Sequence, residues 1–348
     1  MRLFKRRSML QAAAAGGTLL AAGPVRAQDR AAVEAGARKE GAMALATSVN
    51  VPGFPKFLQA FTAKYPFINV NDGLFQGATA TVAARVDAEM KSGKPAFDVI
   101  HIANPALYLD YAKQGRLEDY SSPELAAYPA SAHNGGLWTT ARAVGVMLAY
   151  NRHIVPADKA PSGWRDLLKP EFKGHKLAIQ NAASGTWLMA VYMLEQTLGK
   201  DYVRQLAAQQ PIITTGSAQQ IDMINRGEAL VAAGIDHTVL FTKKTQEAGV
   251  VPVYPAEGMP VSASPVAILK GAPHPNAARL FVDFMLSKQG QELFDNEITH
   301  NYSLRNDVPT PAGEKPLAQA KPLVPTNWDD YERFARDFPH HFNEIFKS

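Results

Sequence analysis

Short apolar runs alternate with amphipathic stretches along most of this 348-residue chain, and this alternation constrains its fold more than any other feature. Residues 97–102 (FDVIHI) and 230–235 (LVAAGI) have the length and continuous apolarity of strands buried on both faces. The stretches at residues 56–64 and 79–91 have the spacing of helices that cover a sheet. We therefore predict an α/β fold in which mainly parallel sheets are flanked by helices.

The length of the chain predicts two lobes, because a single hydrophobic core stops growing at about 250–300 residues. A second series of strands begins with the long apolar run at residues 143–150 (AVGVMLAY). A further long strand at residues 261–269 is expected to return the chain to the first lobe. The predicted lobes are residues 28–141 plus 262–300 and residues 142–261 plus 301–348, hinged by crossing strands.

The spacing of apolar residues also predicts individual elements outside these crossing strands. A single long helix is expected at residues 187–207, and two helices at residues 275–294. A strand is expected at residues 69–72, and a short final helix at residues 334–346. The Pro-rich segment at residues 310–324 is expected to lie on the surface.

The first 27 residues have the composition of an export signal. Residues 2–7 are rich in Lys and Arg, residues 9–22 are apolar over the length of a signal peptide, and small residues precede a cleavage site after Ala27. Arg6 and Arg7 fit a twin-arginine leader, and an ordinary secretion signal is the alternative. The apolar stretch is too short for a transmembrane helix. We therefore predict a periplasmic protein with a cleaved leader.

Charge and cysteine content exclude several classes of protein. The formal charge of +4 comes from the leader, which holds five of the 36 basic residues and none of the 32 acidic ones. The remaining chain is nearly neutral, which argues against nucleic-acid binding. The chain has no cysteine, so disulfides, iron–sulfur clusters and cysteine nucleophiles are excluded.

Small polar and hydroxyl-bearing residues follow the predicted strands. Because open parallel sheets bind ligands at the carboxyl ends of their strands, we expect these residues to line a cleft between the lobes. The candidate ligand-binding residues are Thr47, Ser48, Asn50, Asn104, Ser184, Gly185, Thr186, Gly216, Ser217, Asp236, His237, Thr238 and Tyr302.

Residues 184–186 (SGT) open the predicted helix at 187–207 and form a candidate anion site. A helix start offers free N–H groups and the positive end of the helix dipole, and a glycine lets a ligand approach the backbone. Helix capping by Ser184 or Thr186 explains the same residues, and the two interpretations are compatible.

Other candidates leave their alternatives open. His237 beside Asp236 can ligate a metal, act as a base or form a structural pair at a strand end. Arg305, near Tyr302, can reach a bound anion or form an internal ion pair. The sequence has no GxSxG, HExxH, GxxxxGK[ST] or GxGxxG motif, which argues against catalysis.

Four stretches resemble the periplasmic solute-binding proteins of ABC importers. They are residues 37–41 (ARKEG), 93–99 (GKPAFDV), 162–174 (SGWRDLLKPEFKG) and 275–291 (PNAARLFVDFMLSKQGQ). The resemblance implies a two-lobed, type II binding-protein fold that closes on its ligand like a hinged clamp. It implies a monomer that carries no cofactor or enzymatic activity and delivers its ligand to a permease in the inner membrane.

The branch that the chain resembles includes binders of ferric iron, phosphonates and phosphorylated sugars. Ferric-binding members carry adjacent tyrosines where this chain has His237 and Thr238, and Ala103 and Asn104 supply no carboxylate. The resemblance therefore favours a small organic anion: a phosphonate, a phosphate ester or a carboxylate. A ferric-iron or metal-chelate ligand is the alternative, with Asp236, His237 and Tyr302 as its candidate ligands.

Overall fold

The computed structural model describes residues 30–49, 51, 53–182 and 185–346, except for the side chain of Asn296. The predicted leader and the candidate residues Asn50 and Ser184 lie outside the described residues. Strands in the described residues are β1 (Leu45–Thr47), β2 (Leu74–Gln76), β3 (Val99–His101), β4 (Thr139–Asn151), β5 (Leu177–Gln180), β6 (Ile212–Thr214), β7 (Val231–Asp236), β8 (Val250–Val253), β9 (Met259–Ile268) and β10 (Pro322–Leu323).

Helices cover the sheet that these strands form. The α-helices are α1 (Arg30–Glu40), α2 (Phe54–Lys64), α3 (Thr79–Lys91), α4 (Pro105–Lys113), α5 (Gly185–Leu198), α6 (Tyr202–Ala207), α7 (Ser217–Arg226), α8 (His237–Leu240), α9 (Lys243–Glu247), α10 (Pro275–Leu286), α11 (Lys288–Gln291) and α12 (Trp328–Phe346). Helix α11 continues directly as a π-helix at Glu292–Thr299. Short 3-10 turns lie at Asn71–Gly73, Pro123–Ala127, Ala130–Ala132, Ala157–Lys159, Arg165–Leu168, Pro170–Phe172 and Leu317–Ala320.

The strands form one curled, mixed sheet in the order β2-β1-β3-β9-β4-β7-β5-β6. Strands β1, β2 and β3 are parallel and belong to the first lobe. Strands β5, β6 and β7 are parallel and belong to the second lobe. The long strands β4 and β9 are antiparallel to each other and join the two parallel groups. The α/β fold with crossing strands is therefore confirmed, whereas the residue boundaries of the lobes stay a prediction.

The crossing region contains three segments of the chain. Strand β4 pairs with β9 as far as Gly145 and then pairs with β7 from Val146 onward. On the other edge of β4 from β9, Ala143 exchanges both backbone hydrogen bonds with Tyr302, at 2.9 and 3.0 Å. The segment around Tyr302, at the predicted boundary between the lobes, therefore runs beside the crossing strand β4. Gly145 lies where β4 changes its partners, and a Cβ there would lie 2.5 Å from the sulfur of Met259.

Each lobe has its own aromatic core. In the first lobe, Phe57 of α2 packs against Phe284 of α10 and Phe294, with ring centroids 5.2 and 5.1 Å away. In the second lobe, Trp164 and Trp187 are fully buried side by side. Burial of such side chains contributes about 1.5–3 kcal/mol each, so a chain without disulfides can be stabilised by its two cores.

Three elements differ from the sequence-based expectation. The helix predicted at residues 187–207 is two helices, because Gly199 between α5 and α6 adopts a left-handed φ of +109° that interrupts the helix. The strand expected at residues 69–72 lies instead at β2, because pairing of Leu74 with Leu45 fixes its register. The final helix begins at Trp328, because Tyr331 in its first turns is buried against α5.

Candidate functional site

The candidate residues of the first lobe lie at the carboxyl ends of β1 and β3. The Thr47 hydroxyl is buried and accepts a hydrogen bond from the Val49 N–H at 3.1 Å. The Ser48 hydroxyl accepts one from the Ala103 N–H at 3.3 Å, which ties the loops after β1 and β3 together. Asn104 caps α4 by accepting from the Leu107 N–H. These contacts shape the loops, and the hydroxyl of Ser48 still has a proton to donate.

The candidate residues of the second lobe come together at the starts of α5 and α7 and the end of β7. Gly185 opens α5 with a φ of +77°, and a Cβ there would meet no atom of the described residues within 4 Å. Its backbone therefore borders open space, and the left-handed φ favours glycine. A Cβ at Gly216, before α7, would likewise be more than 4 Å from every atom in the part of the chain that the structure describes.

Side-chain hydrogen bonds join these three ends. The Thr186 hydroxyl donates to Asp236 Oδ1 at 2.5 Å. The Ser217 hydroxyl accepts from Gln180 Nε2 at 2.9 Å and from the Asp236 N–H at 3.2 Å. Thr186, Ser217 and Asp236 therefore form one connected polar group beside the start of α5.

His237 and Tyr302 make their contacts inside the protein. His237 is completely buried, its Nδ1 accepts the Gly145 N–H at 3.0 Å, and its ring stacks on Tyr302 with centroids 4.5 Å apart. Burial lowers the pKa of His237 to about 3, so the ring is neutral. Thr238 is half-buried in the short helix α8. The structure thus groups Asp236 with Thr186 and places the His237 side chain at the crossing strands.

Arg142 is a residue of this region that sequence reasoning missed. It is half-buried on β4, and its Nε has no hydrogen-bond partner among the described residues. Burial lowers the pKa of its guanidinium, and the charges of Asp295 and Asp236 raise it, but an arginine side chain stays protonated. Arg142 is the one charged residue of the otherwise mainly apolar strand TTARAVGVMLAYN, and this isolation could have identified it from the sequence.

Burial shifts the pKa values of the titratable groups around Arg142. Burial raises the pKa of Asp295 well above its ordinary value, and it also raises the pKa of Asp236, so both acids are shifted toward their uncharged forms. Burial lowers the pKa of His101, which favours the neutral imidazole. Both ring nitrogens of His101 and both carboxyl oxygens of Asp295 are buried without a hydrogen-bond partner among the described residues. Arg142 is therefore the positive centre of a group of buried polar side chains.

Arg305 is an internal ion-pair residue, which decides between the two alternatives left open by the sequence. Its guanidinium donates to Glu124 Oε2 at 2.6 Å, to Asp307 Oδ1 at 2.7 Å and to the Leu286 carbonyl at 2.8 Å. These three acceptors hold both ends of the guanidinium fork, and the side chain is 7% exposed.

The described residues contain neither a metal-binding cluster nor a membrane-spanning helix. Within residues 30–346, apart from the gaps given above, no group of three or more His, Cys, Asp and Glu side chains is arranged to hold a metal ion. No helix in the same part of the chain combines the length and apolarity needed to cross a bilayer.

Comparisons with known proteins place the chain in a family. Residues 94–333 match the family described as "Bacterial extracellular solute-binding protein". A putative 2-aminoethylphosphonate-binding periplasmic protein of Salmonella typhimurium is 26% identical over 271 residues, covering 73% of this chain and 77% of the relative.

Solved structures show the same fold. Iron-bound HitA from Pseudomonas aeruginosa aligns with a TM-score of 0.75 at 22% identity, covering 86% of this chain and 99% of HitA. The periplasmic binding protein AfuA from Actinobacillus pleuropneumoniae, solved with fructose 6-phosphate, aligns with a TM-score of 0.73 at 22% identity, covering 88% and 99%. The family match spans most of the chain and the fold agrees. The chain therefore belongs to the bacterial extracellular solute-binding proteins, a family of two-lobed periplasmic binding proteins rather than enzymes.

Proposed function

We propose that this protein captures a small anionic solute in the cleft between its lobes and delivers it, as a monomer in the periplasm, to the permease of an ABC importer. The solute is a phosphonate, a phosphate ester or a small carboxylate. The observation that carries the proposal is Arg142, a cation on the crossing strand β4 whose Nε lacks a partner among the described residues.

The chemistry of the surrounding groups supports an anion. Arg142 is electrostatically coupled to Asp236, which in turn accepts a hydrogen bond from Thr186 at the start of α5. A planar guanidinium fork matches the paired oxygens of a carboxylate, phosphonate or phosphate. The first N–H groups of α5, a helix of 14 residues, add the positive end of a helix dipole beside the open backbone of Gly185.

The two lobes offer complementary contacts. Arg142 lies on a crossing strand, Thr186 and Ser217 lie in the second lobe, and Ser48 and Asn104 lie in the first lobe. A solute that contacts both lobes binds the closed arrangement more tightly than the open one. Binding therefore shifts the population toward the closed state, which is the form expected to dock on the permease.

A negatively charged metal chelate, such as ferric citrate, is the second candidate solute. The observation that favours it is the set of buried donor atoms near Arg142 that lack a partner among the described residues, the Asp295 carboxyl oxygens and the His101 ring nitrogens. Oxygen and nitrogen donors of this kind bind iron, and the anionic chelate would still meet Arg142.

A thermal-shift screen followed by calorimetric titration tests both candidates. The panel contains phosphonates, sugar phosphates, glycerol phosphates, small carboxylates and ferric citrate, each with and without a chelator. A ligand at 100 times its Kd stabilises the folded state by about 2.7 kcal/mol, which moves the melting temperature measurably. We expect a chelator-insensitive shift with one class of organic anion. A shift with ferric citrate alone, abolished by the chelator, would select the second candidate.

The variant Arg142→Gln and its matched control identify the site. Arg336→Gln removes an exposed arginine of α12 that pairs with the neighbouring Asp337. We expect Arg142→Gln to abolish the shift and Arg336→Gln to preserve it. Equal binding by both variants, or no shift with any anion, would contradict the proposal.

A further inference from the structure

The imidazole of His237 lies where the crossing strand β4 and the segment around Tyr302 meet. On the edge of β4 that faces β7, Ala143 is paired with Tyr302 and Val146 is paired with Asp236. The N–H of Gly145 falls between these two neighbours and has no strand partner there among the described residues. His237 Nδ1 accepts it at 3.0 Å. The side chain thus satisfies a buried backbone donor at the point where β4 passes from one lobe to the other.

The surroundings of His237 fix the orientation of its ring. The ring lies parallel to that of Tyr302, with an interplanar angle of 5°. Its Nε2 lies 3.5 Å from Glu314 Oε2, and this carboxyl is buried. Because Nδ1 accepts a hydrogen bond, the proton of the neutral ring resides on Nε2, on the side of Glu314 and of the His300 backbone. Desolvation raises the pKa of Glu314 to about 8, so this partner is mainly an uncharged carboxylic acid at neutral pH.

The residue before His237 belongs to the candidate ligand site. Asp236 accepts the Thr186 hydroxyl and donates its backbone N–H to Ser217. Asp236, the last residue of β7, is therefore bonded to the start of α5. The next residue, His237, is bonded to the crossing strand β4. A displacement of Gly145 relative to β7 moves the His237 ring that is bonded to it. Because His237 follows Asp236 directly, the displacement also shifts Asp236.

We propose that His237 is a positioning residue that holds the hinge at Gly145 and couples the angle between the lobes to Asp236. It contacts no solute itself. The coupling to solute affinity rests on the proposed function, whereas the hold on the hinge does not. Loss of the acceptor broadens the distribution of lobe angles and lowers the fraction of binding-competent molecules. Because the apparent Kd is the intrinsic Kd divided by that fraction, affinity falls without the loss of any solute contact.

Distance measurements on the ligand-free protein test the hold on the hinge. The chain has no cysteine, so Gln59→Cys on α2 and Gln205→Cys on α6 introduce the only two attachment sites for spin labels. Both positions are exposed, one in each lobe. The distribution of distances between the labels is measured by double electron–electron resonance in this background, with and without a second change at His237.

Two conservative variants separate the two nitrogens of His237. His237→Asn keeps an acceptor near the Nδ1 position, and His237→Gln keeps a polar group near Nε2 only. We expect the Asn variant to keep the distance distribution of the parent, and the Gln and Leu variants to broaden it. The Asn and Gln variants decide the question even if the Leu variant fails to fold. Unchanged distributions in both, or a parent-like Gln variant with a broadened Asn variant, would overturn the proposal.

A core substitution away from the hinge controls for lost stability. Phe172→Leu alters a buried ring in the core of the second lobe. It is expected to lower the melting temperature and leave the distances unchanged. If His237→Leu does the same, its role is only structural and the proposal fails.

Titration with the anion identified by the screen gives the second measurement. We expect His237→Gln to weaken binding about threefold to tenfold and His237→Asn to restore most of it. Broadened distances in a protein that binds no anion would refute the proposed function while supporting the role of His237 at the hinge. Normal distances with weakened binding would instead make His237 a solute contact and overturn this inference.

Discussion

Two arginines beside the crossing segments differ completely in their surroundings. Arg305 follows the segment around Tyr302, and its guanidinium is bound by Glu124, Asp307 and the Leu286 carbonyl. Arg142 lies on β4, and its Nε has no partner among the described residues. Hydrogen bonds from Arg305 lower the pKa of Asp307, whereas burial raises the pKa of Asp295 near Arg142. The fold satisfies the first arginine, whereas the Nε of the second is left without a hydrogen-bond partner among the described residues.

This difference teaches that the position of a buried charge in the sequence does not reveal its role. Both arginines stand within a few residues of polar and aromatic neighbours, and both are largely shielded from water. Their roles differ because carboxylates and a carbonyl from distant parts of the chain reach only one of them. The four predictions that follow test this contrast, from the largest expected effect to the smallest.

Arg305→Met is expected to have the largest effect, and the effect is on stability. The substitution leaves Glu124 and Asp307 without their cation and frees the Leu286 carbonyl, so the free energy of unfolding should fall by about 3 kcal/mol. Urea unfolding measures the loss. The control is Arg333→Met, which removes an exposed ion pair with Asp330 and should change stability little. Anion affinity of the folded protein should stay within about twofold, and a large loss of affinity would break the comparison.

Arg142→Lys is expected to affect binding rather than stability. Lysine keeps the positive charge but loses the planar fork, so the anion should bind about tenfold more weakly and the binding should remain sensitive to salt. Calorimetric titration at two salt concentrations measures both effects. A large fall in the free energy of unfolding with unchanged affinity would mean that Arg142 is a structural arginine like Arg305.

The acids near the two arginines should respond to pH in opposite directions. The folded-state pKa of Asp295 is raised above 3.8, so wild-type stability falls as pH rises from about 3.8 through that raised pKa. Asp295→Asn removes this decline and should be more stable than the wild type at neutral pH. The pKa of Asp307 is lowered, so its contribution is present above pH 3.8 and is lost as pH falls through the folded-state pKa.

Urea unfolding between about pH 3 and pH 8 checks both acids. Asp307→Asn should be slightly less stable than the wild type at neutral pH, and the loss should be small because the Asp307 side chain is 48% exposed. A destabilised Asp295→Asn variant at neutral pH would show that the Asp295 carboxylate is needed to pair with Arg142.

Thr186→Val is expected to have the smallest effect. The substitution keeps the shape of the side chain but removes the hydrogen bond to Asp236 Oδ1, so the anion should bind about threefold to fivefold more weakly. Thr62→Val on α2, which removes a hydroxyl bonded to the Gln59 carbonyl, is the matched control. Titration of both variants with the same anion measures the difference, and equal affinities would remove Thr186 from the site.

Much of the fold followed from the pattern of residues along the chain. The apolar runs at 97–102, 143–150 and 230–235 predicted β3, β4 and β7, because a strand buried on both faces must be apolar along its length. Residues 275–294 were correctly predicted to contain a break between two helices, which lies at Ser287. The prediction of a single helix at 187–207 was wrong. The spacing of apolar residues continues through Gly199, but the left-handed φ of Gly199 ends α5.

The candidate site was predicted in part. The expectation that residues at strand ends and helix starts come together describes Thr186, Ser217 and Asp236, which are joined by hydrogen bonds. His237 was grouped with them because it follows a predicted strand, and Tyr302 because it lies near Arg305 in the sequence. The structure buries both rings against each other, since β4 presents an N–H to His237 and Ala143 pairs with Tyr302.

The sequence by itself determined the fold class, the two-lobe organisation and the resemblance to solute-binding proteins, because these depend on periodic burial and on short motifs within single segments. Only the tertiary structure decided which arginine is satisfied, which acids are desolvated and which side chains meet at the hinge. Those properties arise from contacts between residues far apart in the chain, such as Arg305 with Glu124 and His237 with Gly145. The chemistry of a buried polar group depends on whether such a distant partner reaches it, and local pattern carries no record of that partner.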